Sequence, residues 1–142
     1  MTTDSLKANK KFDLDLKYGE IGQDQIHNIL LNSKIEVKRE RPYSEGGWWD
    51  KTGNICIEYE CNGKPSGVNK ASTESDYWFH IFCKENKSNH CMIVFEVSRL
   101  QKIVEKYKDT YTRMVGDGNR VKAIVMPITK LFGSETINVE TD

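Results

Sequence analysis

Polar and apolar positions along the chain follow two periods. Ile21, Ile26, Ile29 and Leu30 recur at helical spacing, which predicts a helix ending near Asn32. Gly19 and Gly22 weaken its beginning, so the helix is expected from about Gly22 or Gln23. Glu20 then falls at or just before the first turn, where the helix dipole favours a carboxylate. Residues 1–12 read as a flexible tail. From Ile35 to Glu40 the period drops to two: Ile35 and Val37 share one face of a strand, and Glu36, Lys38 and Glu40 share the other. Arg41-Pro42 and Glu45-Gly46-Gly47 end that strand and open a long loop carrying Trp48, Trp49 and Asp50.

Thr52-Gly53-Asn54 turns the chain into a second strand, Ile55 to Cys61. There Ile55, Ile57 and Tyr59 alternate with Cys56, Glu58 and Glu60. After the loop Gly63 to Gly67, a short helix is expected at 69–75 and a buried strand at 76–82. A polar connection over 84–90 leads to a strand at 91–97, rich in branched residues. Ser98 and Gln101 have the spacing of a capping box, and Leu100, Ile103, Val104 and Tyr107 form the apolar stripe of the helix that follows. Gly116 to Asn119 is expected as a hairpin turn into a strand at 121–126, which Pro127 ends. The predicted order is α-β-β-α-β-β-α-β, an α/β (α+β) domain with a mixed sheet flanked by helices. It would occupy residues 13–132, with 133–142 as a second flexible tail.

Composition narrows the function classes. A chain of 142 residues is one domain of ordinary size, long enough to bury a core. The 37% of hydrophobic residues argues against disorder throughout. The 21 basic side chains balance 21 acidic ones, which excludes a uniformly basic DNA binder, an acidic DNA mimic and a polybasic membrane anchor. A locally basic groove remains compatible with that sum. No segment approaches the ~18 apolar residues of a membrane span, and the polar start lacks a signal core. A cytoplasmic protein without membrane contact is therefore expected. Cys56, Cys61, Cys83 and Cys91 form no CxxC pair; small buried thiols of a reducing compartment account for them better than a zinc site or a disulfide frame. His27, His80 and His90 share no spacing with a serine or acid that would suggest a catalytic triad.

Chemistry concentrates on the first two strands. If they pair as an antiparallel hairpin, Glu36, Glu40, Glu58, Glu60 and Lys38 gather in one patch. Clustered carboxylates are stable when fully solvated or when a divalent cation gathers them. An ordinary solvated sheet face would show the same alternation of Glu and Lys. Trp48 and Trp49 between the strands suit either base stacking or a hydrophobic flap over the core. Lys34, Arg39, Arg41, Lys64 and Lys70 lie near enough in sequence to meet phosphates, although plain surface cations would look alike. Lys102, Lys106 and Lys108 read as the solvated face of a helix.

Glu36-Val37-Lys38 has the form of the (D/E)-x-K half-motif of the PD-(D/E)XK nuclease superfamily. The ordered series Tyr18-Gly-Glu20, the run from Ile35 to Glu40, Lys51 to Asn54, Ile57 to Glu60, Gly63 to Gly67, Ala71 to Trp78 and Gly116 to Asn119 resembles a group of small phage-type endonuclease-like proteins, over most of residues 12–132. The resemblance implies a restriction-endonuclease-like fold and a Mg²⁺- or Mn²⁺-dependent endonuclease that hydrolyses DNA. In that superfamily a helix acid, a strand acid and a (D/E)-x-K surround the metal. Residue by residue, Glu20 matches the helix acid, Glu36 and Glu58 match strand acids holding metal, and Lys38 matches the catalytic lysine, with Glu58 also catalytic. The chain departs from the pattern, because E-x-K sits on the first strand and Glu58-x-Glu60 on the second. Glu40 and Glu60 are therefore alternative acids. Arg39, Lys64 and Lys70 would contact DNA, and a homodimer would suit cutting of both strands. The alternative is a catalytically inactive module of the same fold that binds nucleic acid or a protein partner.

Overall fold

The computed structural model describes residues 3–139, with side chains from residue 13 onward except that of Lys87. It divides into two units, 1–33 and 34–142. The first unit is one helix, α1 (Thr3–Asn32), far longer at its start than the apolar spacing suggests. Gly19 and Gly22 are absorbed within it; each costs about 1 kcal/mol relative to alanine, a penalty that a long hydrogen-bonded run tolerates. Leu14, Tyr18, Ile21, Ile26, Leu30 and Leu31 are exposed on this helix. Of the two expected tails, positions 1–2 and 140–142 lie outside the described residues.

The second unit is a mixed α+β domain with two sheets. Strand β1 (Ile35–Glu40) leads through a 3₁₀ turn at Tyr43–Glu45 and a single-turn helix α2 (Trp49–Thr52) to β2 (Asn54–Cys61). The short β3 (Lys64–Pro65), α3 (Gly67–Glu74), β4 (Tyr77–Cys83) and β5 (Asn89–Glu96) follow, then α4 (Val97–Tyr111), β6 (Thr112–Val115) and β7 (Val121–Pro127). A 3₁₀ segment at Ile128–Phe132 leads to α5 (Ser134–Ile137), where Thr136 is buried against Tyr107, whose hydroxyl lies 2.6 Å from the Thr136 hydroxyl. The elements β3, β6, α2 and α5 are too short for hydrophobic periodicity to register.

The first two strands do not form the expected hairpin. β1 pairs in parallel with β4, and β4 pairs antiparallel with β5, giving the order β1-β4-β5. β2 pairs antiparallel with β7 in a second sheet, β3-β2-β7-β6. The intervening 3₁₀ turn and α2 carry the chain from one sheet to the other, so neighbours in sequence are not ladder partners. On β2, Ile55 and Ile57 are fully buried with Ile124 and Met126 of β7, and with Leu100, Ile103, Val104 and Tyr107 along the predicted stripe of α4. The capping box at Ser98 and Gln101 does not form, because α4 starts two residues earlier, at Val97, with Glu96 as its cap. Gln101 instead donates from Nε2 to Asn69 Oδ1 at 3.2 Å, tying α4 to α3. The turn at Gly116 to Asn119 joins β6 to β7 as a hairpin connection, with Gly116 at φ +78°.

Candidate active site

The alternation read along β1 is real, but its charged face is partly covered: Lys38 and Glu40 are half-buried, while Glu36 is exposed. Parallel pairing sets Glu36 beside Trp78, Lys38 beside His80 and Glu40 beside Phe82, and Trp78, His80 and Phe82 are all buried. Val37, on the opposite face, is 53% exposed. Half-buried charges such as Lys38 and Glu40 have to be met by partners, ligands or a water-filled cleft. Two adjoining cavities receive them, and Lys38 lines both.

The smaller cavity, about 190 Å³, is lined by Glu36 and Lys38 of β1, Glu58 of β2, Trp78 of β4 and one face of α3. That face comprises Gly67, Lys70, Ala71 and Glu74, spaced at 0, 3, 4 and 7 along the helix. Gly67 makes the approach of α3 to β2 feasible. Its φ is +51°, and a Cβ there would stand 2.0 Å from the Glu58 carbonyl oxygen. The cavity thus joins three carboxylates, Glu36, Glu58 and Glu74, and two ammonium groups, Lys38 and Lys70, from β1, β2 and α3.

Two of the expected acids of the second unit, Glu60 and Glu40, fall elsewhere. A bulge between Glu58 and Glu60 changes the register, so that Glu58 opposes Ala123 while Glu60 opposes Lys122. Successive residues of β7 face opposite ways, so Glu60 is turned to the other side of the sheet from Glu58. There it forms a 3.1 Å ion pair with Lys122. Glu40 is held away from the smaller cavity: its Oε2 lies 2.6 Å from His80 Nε2 and accepts the Cys56 backbone N–H at 3.3 Å. Glu20 belongs to α1 in the first unit and is exposed. Of the expected DNA contacts, Lys70 lines the smaller cavity, Arg39 lines the larger one, and Lys64 is exposed on β3. Among the described residues, no group of three or more His, Cys, Asp or Glu side chains could hold a metal ion.

The larger cavity, about 730 Å³, lies between β1, β2, β6 and the 41–53 connection. Lys38, Arg39, Arg41 and Arg113 line it together with Glu40, Cys56, Trp48 and Trp49. The two adjacent tryptophans take different roles. Trp49 donates from Nε1 to the Cys83 carbonyl at 3.0 Å and packs on Phe82. Trp48 is 64% exposed and meets Tyr43 edge-on at 5.1 Å between ring centroids. The Cys56 thiol beside Glu40 is pushed up to about 11, chiefly by burial and next by the Glu40 carboxylate, with Lys38 opposing. It is therefore a neutral thiol near pH 7 and no nucleophile. All four cysteines are free, but only Cys83 is buried, and Cys91, expected as a buried thiol, is exposed.

Trp78, His80, Glu74 and Arg113 carry no signal in the sequence that marks them as site residues. The first two were legible only as alternate positions of a strand whose partner was unknown. Arg113 sits on β6, which the reading did not contain.

Comparison of the chain with family models, with curated proteins and with solved structures finds no match. Among the described residues no helix is long and apolar enough to cross a membrane.

Proposed function

We propose that the second unit is a metal-dependent endonuclease that hydrolyses DNA phosphodiester bonds in the smaller cavity. The observation that carries this reading is the convergence of Glu36, Lys38 and Glu58, from strands in two different sheets, on one cleft with Lys70. The donor set suits a magnesium or manganese ion: two carboxylates, oxygen donors only, with room for water. Magnesium typically takes one or two carboxylates, several waters and substrate phosphate oxygens. When bound, such an ion supplies Lewis-acid relief of phosphoryl charge and a more acidic water.

The chain's own groups supply the remainder. Glu36 and Glu58 would hold the ion. Lys38 stands on the strand between both cavities and offsets charge developing on the phosphoryl oxygens. Lys70, on the α3 wall, binds the neighbouring phosphate. Trp78, buried, lines the cleft beside these groups. Glu40 and Glu60, each with a partner elsewhere, are set aside as ligands.

The test is nicking of supercoiled plasmid with Mg²⁺, with Mn²⁺ and with EDTA. Wild-type protein is expected to nick only with metal, and Glu58→Gln and Lys38→Ala are each expected to slow nicking by roughly 100-fold or more. Undiminished nicking by both variants overturns the assignment. Tight DNA binding without any nicking by the wild type would favour the alternative, a non-catalytic module of this fold.

A further inference from the structure

We propose that the larger cavity is a binding site for one unpaired nucleotide of a DNA strand, with the base on Trp48 and the backbone phosphate on Arg41 and Arg113. This deepens the reading of the adjoining cleft as a DNA-cutting site and rests on it for its biological meaning: the substrate would be DNA with a single-stranded segment beside the scissile bond.

Four features of the cavity support this occupant. Its volume of about 730 Å³ is nucleotide-scale, within the roughly 300–1,000 Å³ of small-ligand pockets. Four cationic side chains line it against one carboxylate. That carboxylate, Glu40, already faces His80 and the Cys56 N–H, which leaves the wall available to an anion. Among the described residues neither Arg41 nor Arg113 is ion-paired with an acid. A phosphate between two guanidinium groups gains charge-assisted, geometrically specific hydrogen bonds.

The second feature is the presentation of Trp48. An exposed indole costs solvation and is costly to retain without a partner. The segment that carries it is fixed. The Gly47 and Glu45 N–H groups donate to the Pro42 carbonyl at 2.8 and 3.0 Å, and the Tyr43 N–H donates to Asp50 Oδ1 at 2.8 Å. Gly47 lies so close to the Arg41 carbonyl that a Cβ there would come within 1.6 Å of its oxygen. Trp49, next in sequence, anchors the segment to Cys83. Trp48 is therefore held at the rim on a braced loop, which is how a stacking platform avoids losing entropy on binding.

The third feature is strand geometry. Arg113 opposes Ala123, which also opposes Glu58, so Arg113 and Glu58 project from the same face of the second sheet. The fourth is Lys38, shared by both cavities. A single strand can thus run from Trp48 past Lys38 to Glu36 and Glu58. A base in a duplex is stacked on both faces and cannot offer one to Trp48, so the site selects unpaired DNA.

The experiment is anisotropy titration of the 142-residue chain, in EDTA, with a labelled ten-nucleotide oligodeoxythymidine and with a blunt duplex of equal length. The single strand is expected to bind at least 10-fold more tightly than the duplex. Trp48→Ala should weaken single-strand binding about 10-fold or more, with Trp48→Phe recovering part of it. Arg113→Ala should weaken it and shallow its salt dependence, and Lys130→Ala, on an exposed turn, should change nothing. Binding of the two DNAs with equal affinity, or indifference to both Trp48→Ala and Arg113→Ala, overturns the proposal. If thymidine monophosphate competes as well as the oligonucleotide, the site takes a free nucleotide and the strand assignment falls. The two readings fail separately. Nicking that survives Glu58→Gln and Lys38→Ala sinks the hydrolysis reading and leaves the Trp48 site standing. Nicking that needs Glu58, with oligonucleotide binding indifferent to Trp48 and Arg113, does the reverse.

Discussion

Glu40 Oε2 lies 2.6 Å from His80 Nε2, and the other side of the imidazole fixes which of the two carries the proton. Trp78 Nε1 can only donate, and it does so to His80 Nδ1 at 3.0 Å. Nδ1 is therefore the acceptor, Nε2 bears the hydrogen, and His80 donates to the carboxylate. His80 is fully buried, yet every polar atom of its ring is satisfied. The three side chains form a chain of hydrogen bonds from the floor of the smaller cavity to the wall of the larger one.

Truncating the middle of this chain should be costly. His80→Ala leaves the Trp78 N–H without an acceptor, strips Glu40 of its strongest donor and opens a void. A loss of about 3 kcal/mol is expected in urea-induced unfolding. Glu40→Gln keeps the shape and an accepting oxygen, so about 1–2 kcal/mol is expected. Equal losses for the two variants would mean that charge, not packing and satisfaction of the imidazole, dominates the network.

The register explains what was legible. On β1 the alternation of Ile35, Val37 and Arg39 with Glu36, Lys38 and Glu40 was readable as a strand, since a period of two survives any partner. Which face turns inward was not, because that depends on β4, whose Trp78, His80 and Phe82 lie 40 or so residues away along the chain. The same holds for Glu58 and Glu60. Strict alternation puts them together, and a bulge that only the pairing with β7 reveals sets them apart. Glu36, Lys38 and Glu58 converge even so, although β1 and β2 belong to separate sheets. The apolar stripe of α4, Leu100, Ile103, Val104 and Tyr107, is legible because a helix carries its own hydrogen bonds, whereas its cap lies at Glu96 and not at Ser98.

Gly67 is expected to tolerate no side chain. Gly67→Ala must place a Cβ at φ +51° and 2.0 Å from the Glu58 carbonyl oxygen, so α3 has to withdraw from β2. A loss of about 2 kcal/mol or more is expected from the backbone conformation and the displaced packing. Because Lys70 and Ala71 move with the helix, nicking should fall as well, even under conditions where circular dichroism shows the variant folded. Gly53→Ala, also at positive φ but with open space around it, serves as the comparison and should cost only the conformational part.

The adjacent tryptophans should separate cleanly in stability. Trp49→Ala removes the hydrogen bond to Cys83 and the contact with Phe82, and about 3 kcal/mol is expected. Trp48→Ala removes an exposed ring and should stay within about 0.5 kcal/mol of wild type. A measured order reversed from this would place the anchor on Trp48 and undo the account of the loop.

Cys56 offers a prediction whose sign follows from linkage. Its thiol titrates near 9.0 when unconstrained and is held up to about 11 in the fold, by burial first and the Glu40 charge second. The folded state keeps this proton where the unfolded chain has lost it. The contribution is therefore complete below about pH 9 and disappears as pH climbs towards 11. With partial solvent access, the loss across that window is on the order of 1–2 kcal/mol. Unfolding free energies measured at pH 8, 9, 10 and 11 should fall across that window in the wild type and fall less in Cys56→Ala. In the folded protein the thiol should also resist iodoacetamide at pH 8, while exposed Cys91 reacts. Fast alkylation of Cys56 at pH 8 would mean that Lys38, rather than Glu40 and burial, governs the thiol, and would reverse the electrostatic order drawn here for the shared wall of the two cavities.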